Sequence, residues 1–396
     1  MGSNQSHKHS PLRSGEEPGV RAIPSISLIN LLIKSLLLIV SFNLLFALLE
    51  PILLLERFSG YNWLFPGRER LPFGEVQDKA YNLSLYQLDA MLLSHEIAAR
   101  KPANEYRVIV IGDSSVWGFL LKPDQTLTAC LNAFHLVAQD GKQVKFYNLG
   151  YPTITLTKDI LILKKAMRFQ PDMVVWLTTL ESYPYPKQLS SPIIQHNPKP
   201  VRELIQAYDL KLSPQDPKLV DLSFWEQTII GQRRPLADLL RLQLYGVLWA
   251  ATGVDQFYPD TYDPPQADLE PDVSFYNLVP PTLQEDLLAF DVLSAGIELA
   301  GGRPVLLVNE PIYISQGVNS NIRYNFFYPR WAYDQYRSLL AEMSQSKHWT
   351  YLDLWDLIPS GEFTNSAIHM TPAGTDRLAI HIIREVELLL DKTYAP

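Results

Sequence analysis

Two residues far apart in the chain have the chemistry of a nucleophile and its base. Ser114 closes the tripeptide Gly112-Asp113-Ser114, directly after the apolar run Val108–Ile111. His369 lies near the other end, in Ala367-Ile368-His369-Met370-Thr371-Pro372. An uninterrupted β-branched run reads as a strand buried on both faces, as in a parallel sheet. A serine at the carboxyl end of such a strand occupies the place where open α/β sheets gather their ligands. Its hydroxyl attacks an acyl carbon only when a base removes the proton, and an imidazole is the usual base. Pro372 is suited to open a helix, so His369 belongs to the loop just before a terminal helix.

The elements that must bring these residues together alternate between strand and helix. Val108–Ile111, Val144–Asn148, Gln170–Leu177, Pro304–Asn309 and Tyr351–Leu354 read as strands, and Leu127–Gln139, Thr157–Arg168, Leu283–Ala300, Arg330–Gln345 and Pro372–Leu390 as helices. This predicts a three-layer α/β/α sandwich with a mostly parallel sheet. The rhythm divides the sandwich into a first half, residues 101–189, and a second half, residues 282–396. Between them, residues 190–281 are rich in proline, aspartate and tyrosine and are expected to form a cap-like insertion above the carboxyl ends of the strands. The apolar stretch Leu236–Val254 inside it reads either as a cap helix over the site or as a helix lying in the surface of a bilayer.

Composition narrows the function. The chain has 396 residues, a net charge of −8 and one cysteine, Cys130. No long basic run is present, so nucleic acid is not expected as a partner. A single cysteine rules out an intrachain disulfide and a cysteine-rich metal site. No phosphate loop, dinucleotide fingerprint or metal-ligand spacing appears, and no cofactor or metal is expected. The amino terminus speaks for a membrane. Residues 1–25 are polar and expected to be a disordered cytoplasmic tail. Residues 26–56 form a strongly apolar anchor long enough to cross a bilayer as a helix. Lys8, Arg13, Arg21 and Lys34 outweigh Arg57, Arg68 and Arg70 by a small margin, which places the domain outside the cytoplasm on a single-pass anchor. Residues 57–100 connect anchor and domain, with a helix expected over Tyr81–Ala99.

Gly112-Asp113-Ser114 with Gly118 four positions on, together with the late His369-x-Thr371-Pro372, resembles the SGNH/GDSL hydrolase superfamily. The family's first block is Gly-Asp-Ser and its last is Asp-x-x-His. The resemblance spans roughly residues 104–390 apart from the insertion. It implies Ser114 as nucleophile and His369 as base. It also implies an oxyanion hole built from the backbone N–H groups of Ser114 and Gly150, the latter in Asn148-Leu149-Gly150. Two departures stand out. The family's Gly-x-Asn-Asp block is replaced by Leu177-Thr178-Thr179, which leaves Thr179, or its neighbour Thr178, to stand in for the asparagine. The position three before His369 is Ser366, so the acid that orients the imidazole is absent. Ser366, Asn365, a local backbone carbonyl or a distant carboxylate such as Glu310 or Glu362 is expected to replace it. Glu310 ends a strand on the same rim, where a plain loop or capping carboxylate is the other reading.

The resemblance implies a membrane-anchored serine esterase or O-acyltransferase acting on acyl esters of a cell-envelope glycan or lipid. Anchored domains of this kind are similar to partners of membrane-bound O-acyltransferases. The alternative is a non-catalytic envelope protein that keeps the fold to bind glycan or such a partner. The aromatic and arginine cluster Arg323–Arg337 reads either as a sugar-stacking surface or as core packing.

Overall fold

A computed structural model describes residues 1–2, 27–65, 67–74 and 83–393. Residues 3–26, on which the expected tail falls, and residues 75–82, which hold the start of the expected connector helix, lie outside the described residues.

Five parallel strands make one sheet in the order β2-β1-β3-β4-β5. They are β1 (Glu105–Ile111), β2 (Gln143–Asn148), β3 (Met173–Thr178), β4 (Val305–Asn309) and β5 (Thr350–Asp353). Every residue of β1 and β3 is buried, because helices cover both faces of the sheet. Ile109, Ile111, Val174, Trp176 and Leu307 point into a core shared with the helices Leu156–Ala166, Phe290–Leu299 and Arg330–Ser346. Their neighbours Val108, Val110, Val175, Leu306 and Val308 point the other way, into a core closed by Leu127–Asn132 and Pro372–Thr393. The fold is therefore the three-layer α/β/α sandwich that the strand–helix rhythm requires. The chain lays β2 on one side of β1 and β3 on the other, so the direction of winding reverses beside β1. Such a switch opens a crevice at the carboxyl ends of the strands.

Two helices are shorter than their apolar pattern suggests. The expected Leu127–Gln139 helix stops at Asn132. Asn132 turns its amide onto the backbone of β2, donating Nδ2–H to Phe146 O and accepting Phe146 N–H at Oδ1, and a reverse turn then joins Leu136 to Val144. The expected Leu283–Ala300 helix begins only at Phe290, because Leu288 bridges Pro184 and the Ala289 N–H donates to Tyr183 O. In the connector the helix is Leu88–Ser94, followed by a tight turn over Glu96–Ala98.

The insertion spreads over the sandwich and is not a single cap over the strand ends. Its helix Pro198–Ala207 packs on Leu156–Ala166, on one face of the sheet. Its long helix Arg233–Thr252 lies against the connector around Tyr61–Leu64. The start of the insertion touches the loop after β2 through Ser191 and Thr153, and the stretch after the long helix reaches the catalytic rim. There Arg70 and Asp255 form a buried two-pronged ion pair, with Nη2–Oδ1 at 2.7 Å and Nε–Oδ2 at 3.1 Å. Arg70 Nη1 and Gln256 Nε2 both donate to the carbonyls of Gly118 and Leu121.

The amino-terminal helix Leu28–Leu49 has 22 residues and a mean hydropathy of 2.3 over its most apolar stretch, of which only 6% is buried. At 1.5 Å per residue it is about 33 Å long, enough to cross the hydrocarbon core of a bilayer.

Candidate active site

Ser114 is presented by a sharp turn between β1 and the one-turn helix Ser114–Trp117. Gly112 makes that turn possible: a Cβ on it would lie 2.6 Å from Val116 Cγ2. Asp113 caps the little helix, its Oδ1 accepting the Ser115 N–H at 2.8 Å. Beneath the turn, the fully buried Lys158 donates Nζ–H to Gly112 O at 2.6 Å and to Asp159 Oδ1 at 2.5 Å. Trp176 Nε1–H donates to Asp159 Oδ2 at 3.1 Å. Burial lifts the Asp159 carboxyl to about 6 against the pull of Lys158. This buried ion pair fixes the carbonyl at the elbow, and the sequence reading missed it. Its signal is a Lys-Asp pair directly before the apolar run Ile160–Leu163.

His369 arrives from the loop between β5 and the final helix. Phe363 and Met370 pair across that loop, the Thr364 N–H donates to His369 O, and Tyr313 N–H donates to Ala367 O at 2.7 Å. The tight loop holds the imidazole over the nucleophile turn. Ser114 Oγ lies 2.7 Å from His369 Nε2, and His369 Nδ1 lies 3.1 Å from Asn365 Oδ1. Since Oδ1 is an acceptor, Nδ1 carries the ring proton and Nε2 is free to accept from the serine. Phe119 stacks on the ring with centroids 4.6 Å apart. His369 is 9% exposed, and burial pushes its pKa down to about 4. The imidazole is therefore neutral, the form a general base needs.

The acceptor that meets His369 Nδ1 sits four residues before it, not three. Ser366 makes no hydrogen bond to the ring, and Glu362 instead holds Arg377. Glu310, considered above as a distant orienter, belongs to a different cluster. It accepts a short hydrogen bond from the Ser115 hydroxyl at Oε2. Burial first, and the neighbouring Asp113 second, push its carboxyl well above the usual range, which favours the protonated form. Ser115 is thus turned away from His369 and locked beneath the elbow.

The expected oxyanion donors divide. The Ser114 N–H has no hydrogen-bond partner among the described residues and opens the short helix beside its own hydroxyl. The Gly150 N–H instead donates to Asn148 Oδ1 at 3.1 Å. Glycine is needed there for packing, since a Cβ would lie 2.5 Å from Trp117 N. Asn148 completes the link by donating Nδ2–H to Val116 O at 2.8 Å. Thr179 is fully buried and shares its hydroxyl with Tyr328 at 3.0 Å, while Thr178 pairs with Tyr183. The aromatic cluster also packs inward: Tyr328, Tyr333 and Tyr336 are fully buried, and Arg337 pairs with Asp353 over Trp355.

The elbow at Gly112-Asp113-Ser114 and the distal His369 are the two blocks on which the resemblance rests, and the structure brings them together. The chain resembles the SGNH/GDSL hydrolases. No family model matches the sequence, and no curated protein does. Among solved structures, it is similar to a member of the lipolytic protein G-D-S-L family from Veillonella parvula (9% identity, 71% of this chain and 96% of that one, TM-score 0.33). It is also similar to a carbohydrate acetylesterase from Sinorhizobium meliloti (15% identity, 72% and 99%, TM-score 0.32). A third is the aryl esterase of M. smegmatis (15% identity, 72% and 99%, TM-score 0.33).

Proposed function

We propose that the protein is a serine esterase or O-acyltransferase held to a membrane by the helix Leu28–Leu49. The supporting observation is the 2.7 Å contact between Ser114 Oγ and His369 Nε2. Ser114 Oγ attacks the acyl carbonyl while Nε2 takes its proton. Asn365 Oδ1 holds the other ring nitrogen in the donor form. The Ser114 N–H meets the developing oxyanion. Collapse of the tetrahedral intermediate returns the proton from Nε2 to the departing alkoxide and leaves Ser114 acylated. Water, or a hydroxyl of a sugar acceptor, then enters by the same steps in reverse. The substrate class is an acyl ester of a cell-envelope glycan or lipid, and the domain works on the extracytoplasmic side, where a membrane-bound O-acyltransferase is a fitting partner.

A second reading rests on a specific observation. The Gly150 N–H and the Thr179 hydroxyl already have partners, as befits a fold kept for binding without turnover. A fluorophosphonate separates the two. Wild type is expected to be labelled, Ser114→Ala not, and Ser115→Ala as strongly as wild type. An unlabelled wild type that binds an acylated glycan establishes the binding protein instead.

A further inference from the structure

The insertion helix Arg233–Thr252 is apolar on two opposite sides. Leu239, Leu242 and Gly246 face the domain, with Gly246 so close to Tyr61 that a Cβ would lie 2.9 Å from its ring. Leu240, Leu244, Val247 and Leu248 recur at helical spacing on the other side and are exposed, Leu240 at 63%. A soluble surface rarely presents such a row without an occupant.

The neighbourhood says what the occupant is. The loop leading into this helix presents Trp225, 75% exposed, and Ile230. The Ile230 N–H donates to Asn43 Oδ1 at 3.3 Å. Asn43 belongs to the amino-terminal helix and lies six residues before its end at Leu49. At 1.5 Å per residue that is about 9 Å inside the apolar rod. Phe46 packs on the domain core and Ala47 is buried, so the last turns of the rod are docked to the domain. The loop through Ile230 therefore meets the side of the anchor at the depth of its final turns, and the helix with its exposed row runs on from that point. Arg233, Arg234 and Arg241 lie on the same helix, Arg234 and Arg241 sharing Asp238 as an ion-pair partner at 3.1 and 2.8 Å, and basic side chains beside an apolar row suit an interface with anionic headgroups.

We infer that Arg233–Thr252 and the loop through Trp225 form a second membrane contact, seated in the leaflet from which the anchor emerges. The inference rests on the reading of Leu28–Leu49 as the anchor. It gives the insertion a use. Directly beyond the helix, Asp255 (through Arg70) and Gln256 grip the carbonyls of Gly118 and Leu121, and Phe119 between them stacks on His369. Seating the helix in the bilayer thus fixes the height and tilt of the Ser114–His369 rim above the lipid surface.

Nitroxide labels on the full chain test this. In a Cys130→Ala background, Leu37→Cys, Trp225→Cys, Leu244→Cys and Glu387→Cys are labelled one at a time. Each is reconstituted into phosphatidylcholine vesicles carrying a minor fraction of phosphatidylglycerol. Leu37 lies mid-anchor, and Glu387 is exposed on the final helix, across the sheet from the insertion. Labels at 225 and 244 are expected to collide with oxygen in preference to a water-soluble nickel chelate, as at 37, and the preference to reverse at 387. Lipid exposure at 37 with aqueous readings at 225 and 244 overturns the second contact alone. Aqueous readings at all four sites overturn the anchor and the inference together. A label at 244 that is shielded from both colliders has a protein neighbour, a second copy or a partner, and also overturns it.

Discussion

Replacing Asn365 by aspartate tests the site more sharply than removing any residue. The side chains are nearly isosteric, so the carboxylate would occupy the place of Oδ1, 3.1 Å from His369 Nδ1. Among the described residues the wild-type ring has no carboxylate partner, and burial holds its pKa at about 4. A charge about 4 Å from the imidazolium is worth about 4 kcal/mol at an effective dielectric near 20. Part of this is offset by burying the new charge. A net 3 kcal/mol, roughly, is equivalent to about two pKa steps, which moves His369 toward 6. Asn365 already sets the tautomer, so the full factor of about 10⁴ assigned to an orienting acid is not available. If about half of the charge stabilisation is felt in the transition state, the gain is about 1.5 kcal/mol, or roughly tenfold in rate.

The assay is kcat/KM for p-nitrophenyl acetate across the acid range in detergent-solubilised full-length protein. Activity requires the neutral ring, so the wild-type profile is expected to rise through pH about 4 and stay flat above it. Asn365→Asp is expected to shift that rise toward pH about 6 and to lift the plateau roughly tenfold. Ser366→Asp, which restores the family's spacing in sequence, is expected to do neither, because Ser366 does not touch the ring. If Ser366→Asp gives the gain and Asn365→Asp does not, the loop holds His369 differently from the structure described. If neither variant moves a measurable profile, His369 is not the base.

Glu310→Gln is expected to fold and turn over like wild type, since a neutral amide replaces a carboxyl whose protonated form is favoured and keeps an acceptor for Ser115. Loss of activity in a stably folded Glu310→Gln would give the carboxylate a chemical role. Lys158→Met is expected to lower stability by about 3 kcal/mol in denaturant melts, because Asp159 and the Gly112 carbonyl lose a buried partner. Adding Asp159→Leu is expected to recover much of that loss; no recovery would refute the pairing argument. Acid is expected to destabilise the fold through His369 and the fully buried His95, whose pKa is pushed down to about 3. Both folded values lie below 6.5, so the unfolded chain takes protons first, and stability is full above pH 6.5 and falls below it. For His369 the loss by pH about 4 is about 3 kcal/mol, read as the difference in acid sensitivity between wild type and His369→Gln.

What the sequence discloses here, and what it hides, follows from how far each constraint reaches. Strands β1 and β3 are legible because burial on both faces demands unbroken apolar residues, and that demand is local. Ser114 and His369 are legible because a strand end and a helix start mark their positions. Helix lengths fail where a single side chain intervenes, as when the amide of Asn132 pairs with the backbone of β2 and the helix ends there. Asn365 stands among the expected orienters, yet spacing alone cannot choose it over Ser366. The choice is made by the backbone pairing of Phe363 with Met370, which folds the fourth residue upstream, not the third, under the ring. Glu310 shows the same limit from the other side. Its place at a strand end rightly puts it on the rim, but the partner it meets there is Ser115, one residue past the nucleophile. Gly150 is a third case, since the glycine that suits a close oxyanion contact is equally required by the approach of Trp117. A motif therefore fixes which residues assemble at a site, and the direction in which each donor or acceptor points is set by contacts from strands and loops far away in the chain. That is why the expected second oxyanion donor, Gly150, has its N–H governed by Asn148 and not by the motif that contains it.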